Sequence, residues 1–210
     1  MDESAKPTPP ARPSSDPRWH QEHYVLKERR FTFGRQYRIF DARDQLVAYC
    51  KQKMFKLRED IRFYTDESQQ VELFRLQTAK ILDWSANFEV IDSATQQRLG
   101  VLRRKAWKSL LRDEWHVFDG WEQPWGVLKE DTRGLAFLRR ALSFVELEWA
   151  IPYEYRLHRD GADESRPLAT IRERFQLFGD TYDLKIQPES TVDARVLLGL
   201  AVCVDAIEGE

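Results

Sequence analysis

Residues 196–204 read Val-Leu-Leu-Gly-Leu-Ala-Val-Cys-Val, the most apolar segment of the chain. A helix of this composition is apolar on every side, so it must be surrounded by other parts of the fold. Nine uninterrupted apolar residues fall well short of the roughly 20 that a membrane-spanning helix needs. The sequence therefore predicts a buried core helix, from Val192 to about Asp205, and no membrane span. The residues assigned to the centre of this helix are Val196, Leu197, Leu198, Leu200 and Val202.

Three other segments repeat one pattern, in which an aromatic-x-apolar-apolar-Asp strand is followed by a polar turn and a second strand. They are residues 37–41, 88–92 and 115–119. An Asp that closes a strand starts a turn, because its carboxylate accepts hydrogen bonds from the backbone just ahead. The repeated unit is predicted to be a β-hairpin, which cannot bury its apolar face alone. Hairpins that need a surface to cover, and a helix that must be covered, together predict a β-barrel around a central helix.

The spacing of the remaining β-like segments extends this prediction to most of the chain. Several segments alternate polar and apolar residues, as 170–177 does, which is typical of an antiparallel wall with one packed face. The fold class is therefore predicted to be mainly β, a closed and mostly antiparallel barrel of about twelve strands. The predicted strands are 24–33, 36–41, 45–53, 60–64, 71–78, 87–92, 98–104, 114–118, 125–130, 153–158, 168–177 and 180–187.

Two predicted helices and a predicted N-terminal tail complete the organisation of the chain. An amphipathic helix is predicted near residues 134–148, where leucines recur at helical spacing. The C-terminal helix is predicted to begin at the Ser190-x-x-Asp193 spacing. Residues 1–18 are predicted to form a disordered Pro-rich tail, because they cannot bury enough apolar area to offset their ordering entropy. Residues 19–210 then form a single barrel domain.

Composition bounds the partners and the cellular compartment. The formal net charge is −2, so the chain lacks the excess of basic residues that is typical of proteins that bind nucleic acid. No nucleic-acid partner is therefore expected. Cys50 and Cys203 lie in apolar sequence without metal-ligand spacing, which favours buried free thiols, with a disulfide as the alternative. No basic-then-apolar leader opens the chain, so a cytoplasmic protein is expected.

Basic residues form the main candidate binding site. Five cations lie within ten residues, next to Trp107, and could hold an anionic head group while apolar residues touch a membrane surface. They are Arg103, Arg104, Lys105, Lys108 and Arg112. A solvated strand-and-loop face is the alternative for this cluster. Lys51, Lys53, Lys56 and Arg58 form a second, weaker candidate.

Signals for an enzyme are poor. The segment 20–23 lacks the HExxH spacing that places two imidazoles on one helical face. The chain contains neither a Gly-rich phosphate loop nor a Gly-x-Ser-x-Gly nucleophile motif. Its neighbouring carboxylate pairs fall within strands, where adjacent side chains point to opposite faces. No catalytic residue, metal ligand or cofactor is therefore assigned.

Several sequence segments, in the same order as in the family, resemble the LURP-one-related family. This family is grouped with the Tubby C-terminal and phospholipid scramblase domains. The resemblance runs from about Tyr24 to the C-terminus. It implies a closed, mostly antiparallel barrel threaded by a hydrophobic C-terminal helix. The segments that show the resemblance are residues 37–41, 51–61, 99–105, 107–110, 130–131 with 138–140, and 151–155.

The resemblance implies less about function. Tubby relatives bind phosphoinositides through basic residues of the barrel, whereas scramblase relatives carry a calcium-binding acidic segment and a cysteine cluster. This chain has neither a D-x-D-x-D-like loop nor such a cluster, so calcium binding and scrambling are not expected. The first hypothesis is a non-enzymatic domain, peripheral to a membrane, that binds anionic phospholipid head groups. The second is a protein-interaction or regulatory module that uses the barrel surface or the Pro-rich tail.

Overall fold

The structure is a computed structural model that describes residues 14–31, 34–53, 60–78, 87–105, 114–130, 153–159, 161, 166–176 and 179–208. Within this part of the chain it contains twelve strands, a short 3₁₀ helix at Pro17–Trp19 and one α-helix. The elements are β1 (His23–Phe31), β2 (Gly34–Asp41), β3 (Leu46–Lys53), β4 (Ile61–Tyr64), β5 (Glu72–Thr78), β6 (Asn87–Asp92), β7 (Arg98–Lys105), β8 (Glu114–Asp119), β9 (Pro124–Glu130), β10 (Glu154–Arg159), β11 (Ala169–Gln176), β12 (Gly179–Ile186) and α1 (Ala194–Glu208).

The twelve strands form a closed barrel in which each strand pairs with its neighbours in sequence. All the pairings are antiparallel, and β12 closes the ring on β1. The predicted mainly β barrel with a C-terminal helix is thus confirmed. Because consecutive strands run in opposite directions, the hairpins after β2, β4, β6 and β8 share one end of the barrel. The strands β1, β3, β5, β7 and β9 end at the opposite end.

Helix α1 occupies the inside of the barrel. It packs against β12 and also against β5, β6 and β7, which lie elsewhere around the ring. The predicted core residues Val196, Leu197, Leu198, Leu200 and Val202 are all buried. On the wall, a Cβ added to Gly100 of β7 would lie 3.0 Å from a side-chain carbon of Val196. The glycine therefore lets the helix approach β7 closely.

The N-terminus of α1 differs slightly from the prediction. The helix begins at Ala194, and Asp193 is its N-cap, because its carboxylate accepts a hydrogen bond from the Arg195 backbone N–H at 2.9 Å. The Ser190 hydroxyl instead accepts from the Val192 N–H at 3.4 Å, ahead of the helix. The Asp at the end of the Ser190-x-x-Asp193 spacing is thus the capping residue, as is common for Asp at helix starts.

In all three repeated hairpins the carboxylate of the closing Asp accepts backbone hydrogen bonds from the turn, although the turn after Asp92 is one residue longer than the other two. The Asp41 carboxylate accepts hydrogen bonds from the backbone N–H groups of Arg43 and Gln45, both at 2.9 Å. Asp119 accepts in the same way from the residues two and four positions ahead, both at 2.8 Å, and Asp92 accepts from Thr95 at 2.8 Å. The turn-starting role predicted for these aspartates is confirmed. One residue of each turn also has a left-handed backbone: Asp44 (φ 57°), Gln96 (φ 57°) and Glu122 (φ 63°).

The end of the barrel where α1 begins is covered by residues just before β1. The Pro17–Trp19 helix is capped by the Asp16 carboxylate, which accepts from the Arg18 N–H at 3.0 Å. Trp19 is buried and packs edge-on against Phe74, with ring centroids 5.8 Å apart. Residues 14–18 of the predicted tail therefore have defined contacts, and the disordered tail stays a prediction for residues 1–13, which lie outside the described residues. The helix predicted near 134–148 also lies outside them.

Candidate functional site

Strand β7 separates the predicted basic cluster into two faces. Leu102 points into the barrel and is fully buried, and alternation places Arg104 on the same inner face, opposite the buried Trp115 of β8. Arg103 and Lys105 lie on the outer face. Of the predicted cations on this strand, the structure therefore brings Arg103 and Lys105 together and places Arg104 apart from them. Lys108 and Arg112 lie outside the described residues.

The charge of Arg103 is compensated on the barrel wall. Its guanidinium lies over the Phe118 ring, 4.5 Å from the centroid, and pairs with the carboxylate of Glu122. Glu122 also pairs with Arg98 at 3.2 Å. These contacts hold Arg103 flat against β8 and leave Lys105 as the exposed cation of this group.

A second group of cations, on strands β1 to β3, is more open. Arg29 of β1 lies opposite Gln36 of β2, which in turn lies opposite Lys51 of β3. All three side chains are on the outer face, and Arg29 and Lys51 are exposed. Neither cation forms an ion pair within the described part of the chain, although the charge of Arg29 contributes to lowering the pKa of the Glu67 carboxylate. We call Arg29, Gln36 and Lys51 the outer basic row. Only Lys51 belonged to a predicted cluster, because the pairing that brings Arg29 beside it is long-range.

Within the described part of the chain, aspartates recur at the end of the barrel where α1 begins, and exposed cations such as Arg43 and Lys185 lie there too. Strands that end where α1 ends carry cations near their last residues, among them Arg29, Lys51, Lys105 and Lys129. The hairpins and the helix cap at the other end carry the aspartates, since Asp starts these turns. These aspartates are Asp41, Asp44, Asp66, Asp92, Asp119 and Asp193.

Inside the barrel, near the end of α1, lies a buried polar cluster. Asp205 of α1 accepts hydrogen bonds from the Tyr37 hydroxyl at 2.5 Å and from the Tyr182 hydroxyl. Arg35 donates to an Asp205 carboxylate oxygen at 2.9 Å and to the Asp205 carbonyl at 2.6 Å, and its Nε lies 3.5 Å from Glu28. The guanidinium thus neutralises the carboxylate and also satisfies a carbonyl in the last turn of the helix.

This cluster shifts the pKa values of its members. Burial, reinforced by the charge of Asp205, raises the pKa of the Tyr37 and Tyr182 hydroxyls. Burial acts to lower the pKa of Arg35, but the charge of Asp205, the interactions with Tyr37 and the charge of Glu28 together outweigh burial and raise that pKa. Both hydroxyls therefore stay protonated as donors, and neither is poised as a base near neutral pH.

Oxygens of Glu28, Asp180 and Asp205 lie within 4.8 Å of one another, a spacing that could hold a cation. The guanidinium of Arg35 already lies against two of these three carboxylates. It supplies the positive charge that a metal ion would otherwise provide. The arrangement therefore supports a structural role, in which the cluster anchors the end of α1 to β1, β2 and β12.

The start of α1 is anchored by a second buried ion pair. Arg195, 2% exposed, pairs with Asp193 at 2.7 Å and with Asp92 of the second repeated hairpin. Burial acts to raise the pKa of Asp92, but the hydrogen bond from Thr95 and the charge of Arg195 outweigh it and lower that pKa. The Arg195 guanidinium also lies 5.8 Å from the centre of the Trp19 ring.

Beside this ion pair, a cavity of about 500 Å³ opens at the end of the barrel where α1 begins. Its apolar walls include Trp19, Leu99, Trp125, Ile186 and Val192. Of the described residues that line it, Glu22, Asp119 and Asp193 are acidic and none is Lys or Arg. The sequence did not predict this cavity, because its walls come from separate segments spread between residues 14 and 194.

The two cysteines are buried free thiols, as the favoured interpretation of the sequence predicted. Burial raises the pKa of both thiols. Since the thiolate is the reactive form, Cys50 and Cys203 are poor candidates for a nucleophile.

Comparison with known proteins identifies the family. The sequence pattern of the LURP-one-related family matches residues 46–205 of the chain. The chain belongs to the LURP-one-related family. The match covers β3 to β12 and most of α1, so it includes the repeated hairpins and the central helix of this LURP-one-related domain.

A solved structure supports the fold. An X-ray structure of a protein from Arabidopsis thaliana is similar to this LURP-one-related chain with a TM-score of 0.51 and 15% sequence identity, over 92% of this chain and 96% of the other. At this identity the likeness concerns the fold. A search of the curated proteins finds no match. Among the described residues, no helix combines the length and apolar character needed to cross a membrane.

Proposed function

We propose that this LURP-one-related domain is a non-enzymatic module that binds anionic phospholipid head groups from the cytoplasm, peripherally at a membrane surface. The observation that carries the proposal is the outer basic row, whose two cations, Arg29 and Lys51, are exposed near the end of the barrel where α1 ends.

The spacing of the row suits a phosphate group. Three adjacent strands place the first and third residues about 10 Å apart. A phosphate seated over Gln36 would lie within reach of the two long cationic side chains, and the Gln36 amide could donate to it. Arg29 suits this task because a guanidinium binds phosphate oxygens in a bidentate manner. Lys105 lies at the same end of the barrel, and with Lys108 and Arg112 it is proposed as a second contact.

The expected affinity is modest. Each cation near an anionic surface contributes about 1 kcal/mol. The two cations of the outer basic row therefore give about 2 kcal/mol, or about a 30-fold gain in binding. Weak attraction of this kind is screened beyond about 8 Å at physiological ionic strength, so binding should decrease as salt increases.

The absence of a catalytic role is part of the proposal. Barrels usually bind small substrates in their interior, but here α1 fills it with buried aliphatic side chains. The buried cluster around Asp205 consists of satisfied hydrogen bonds and ion pairs. These features favour a surface function over chemistry inside the barrel.

Flotation with liposomes tests the proposal. Wild-type protein should float with vesicles that contain phosphatidylserine and a phosphoinositide, and should not float with phosphatidylcholine alone. The double variant Arg29→Gln and Lys51→Gln should bind acidic vesicles about 30-fold more weakly. The matched control is Arg43→Gln with Lys185→Gln, which removes two exposed cations near the end where α1 begins and should bind as wild type does.

A second variant tests the β7 contact. Arg103→Glu with Lys105→Glu and Lys108→Glu should weaken flotation further, while circular dichroism stays native. If wild-type protein ignores acidic vesicles even at low salt, the lipid proposal is wrong. The protein-interaction or regulatory module then becomes the leading function.

A further inference from the structure

We propose that the cavity at the start of α1 binds a proline-rich cationic segment, and that its occupant in this protein is the segment of residues 6–13. The proposal is independent of lipid binding, because it concerns the opposite end of the barrel. The segment contains two PxxP motifs, Pro7-Thr8-Pro9-Pro10 and Pro10-Ala11-Arg12-Pro13, which the proposed function leaves without a role.

Position favours this occupant. Ser14 and Trp19 both line the cavity, so residue 13 continues the chain directly from the cavity edge. The four residues of the motif nearest the cavity, 10–13, would span about 12 Å in polyproline II conformation. The cavity volume of about 500 Å³ lies within the range of ligand pockets, about 300–1,000 Å³. A segment joined by so short a connection has an effective concentration of about 1 mM.

The chemistry of the walls also fits. Grooves that bind polyproline segments are lined by aromatic side chains, and Trp125 forms part of this wall. A polyproline helix makes no internal hydrogen bonds, so its carbonyls need donors from the groove. Trp125, Gln187 and Thr191 line the cavity, and their side chains form no hydrogen bond within the part of the chain that the structure describes.

Charge complementarity supports the same occupant. Residues 6–13 contain four prolines together with Lys6 and Arg12, and no acidic residue. The lining carries Glu22, Asp119 and Asp193 without a described cation. Asp193 pairs with Arg195, whereas the carboxylate of Asp119 accepts only backbone N–H groups among its described contacts and pairs with no described cation. An anionic ligand would be repelled here.

A docked segment would act as an intramolecular competitor. With an intrinsic dissociation constant of about 100 µM and an effective concentration of about 1 mM, it would lower the apparent affinity for an added peptide about tenfold. Partners with similar proline-rich segments would then bind only after residues 6–13 leave the cavity.

The test uses a fluorescein-labelled peptide of residues 5–14 and full-length chains. Fluorescence polarisation compares wild type with a variant in which Pro7, Pro9, Pro10 and Pro13 are all replaced by Ala. We expect the peptide to bind this tail variant about tenfold more tightly than wild type. In the tail variant, Thr191→Arg should weaken peptide binding several-fold by adding a cation to the wall. Ala42→Arg, which adds a cation to an exposed turn at the same end of the barrel, should have no effect.

Trp125→Ala in the tail variant gives a second test of the cavity, with circular dichroism as the check on folding. Equal binding to wild type and the tail variant would show that residues 6–13 do not occupy the cavity and would overturn the proposal. Absence of saturable binding to both proteins would overturn it as well. If neither Thr191→Arg nor Trp125→Ala changed the affinity for the peptide, the peptide would bind outside the cavity, and this result would also overturn the proposal.

Discussion

The substitution Asp205→Asn tests whether the buried cluster holds α1 in the barrel. Asn has nearly the same shape as Asp, so the change creates no cavity and removes mainly the negative charge. The Tyr37 and Tyr182 hydroxyls lose a charged acceptor, and each such bond contributes about 1.5–3 kcal/mol. Arg35, whose side chain is 13% exposed, then retains the Glu28 carboxylate, 3.5 Å from its Nε, as an acidic neighbour. Removing one partner of a buried ion pair typically lowers the free energy of unfolding by about 3–5 kcal/mol.

We therefore expect Asp205→Asn to lower the free energy of unfolding by about 3–5 kcal/mol. This is a large part of the about 5–15 kcal/mol that stabilises a typical domain. Urea unfolding followed by circular dichroism measures it, and with an m-value of about 2 kcal/mol/M the midpoint falls by about 2 M. Tyr37→Phe should destabilise the Asp205→Asn background less than the wild-type background, because the two residues share one bond.

Asp44→Asn is the matched control for this measurement. Asp44 has a side chain that is 78% exposed and pairs only at the surface with Lys27. Asn tolerates its left-handed backbone, so stability should change by less than about 0.5 kcal/mol. If Asp205→Asn changed stability no more than Asp44→Asn does, the reasoning about the cluster would be refuted.

Three further predictions concern the helix and its surroundings. Leu198→Asp places an unpaired carboxylate in the apolar core, so we expect an insoluble or molten chain, and a cooperative thermal transition would contradict this. Cys50 and Cys203 should not react with Ellman's reagent in the native state but should both react in guanidinium, and rapid native reaction of either thiol would contradict their burial. Asp92→Asn should cost about 2 kcal/mol at pH 7, since it removes a charged partner of Arg195. Because folding lowers the pKa of Asp92, its contribution is present above the unfolded pKa of about 3.9 and is lost as pH falls through the folded pKa. Urea titrations at pH 7 and pH 2.5 should therefore show the difference from wild type shrinking in acid, and a difference that stays constant would count against this assignment.

The strands were predictable because their signals are local. Alternation of polar and apolar residues reports which face of a strand is packed, and an Asp at the strand end reports the turn. All twelve strands lie within about two residues of their predicted bounds. The helix boundary was less certain, because Ser190 and Asp193 both suit a cap. The backbone geometry selects Asp193.

The candidate sites were much less predictable. Arg103, Arg104 and Lys105 are adjacent in sequence, but alternation on β7 places Arg104 on the inner face, and Glu122 compensates Arg103. Arg29 and Lys51 are far apart in sequence, and only the pairing of β1, β2 and β3 places them at the same level. Nearness along the chain is therefore a poor guide to nearness on a barrel surface.

The sequence alone determined the class of the protein: a wall of short antiparallel strands, and an apolar helix that had to be enclosed. These features follow from periodicity and from the cost of leaving apolar surface in water, both of which act over a few neighbouring residues. Only the tertiary structure decided which charges meet. It brings Asp205 to Arg35, Arg195 to Asp92 and Arg29 to Lys51, and it forms the cavity beside Trp125. The physical reason is that closing the ring sets the register of every strand at once, and register is a property of the whole barrel.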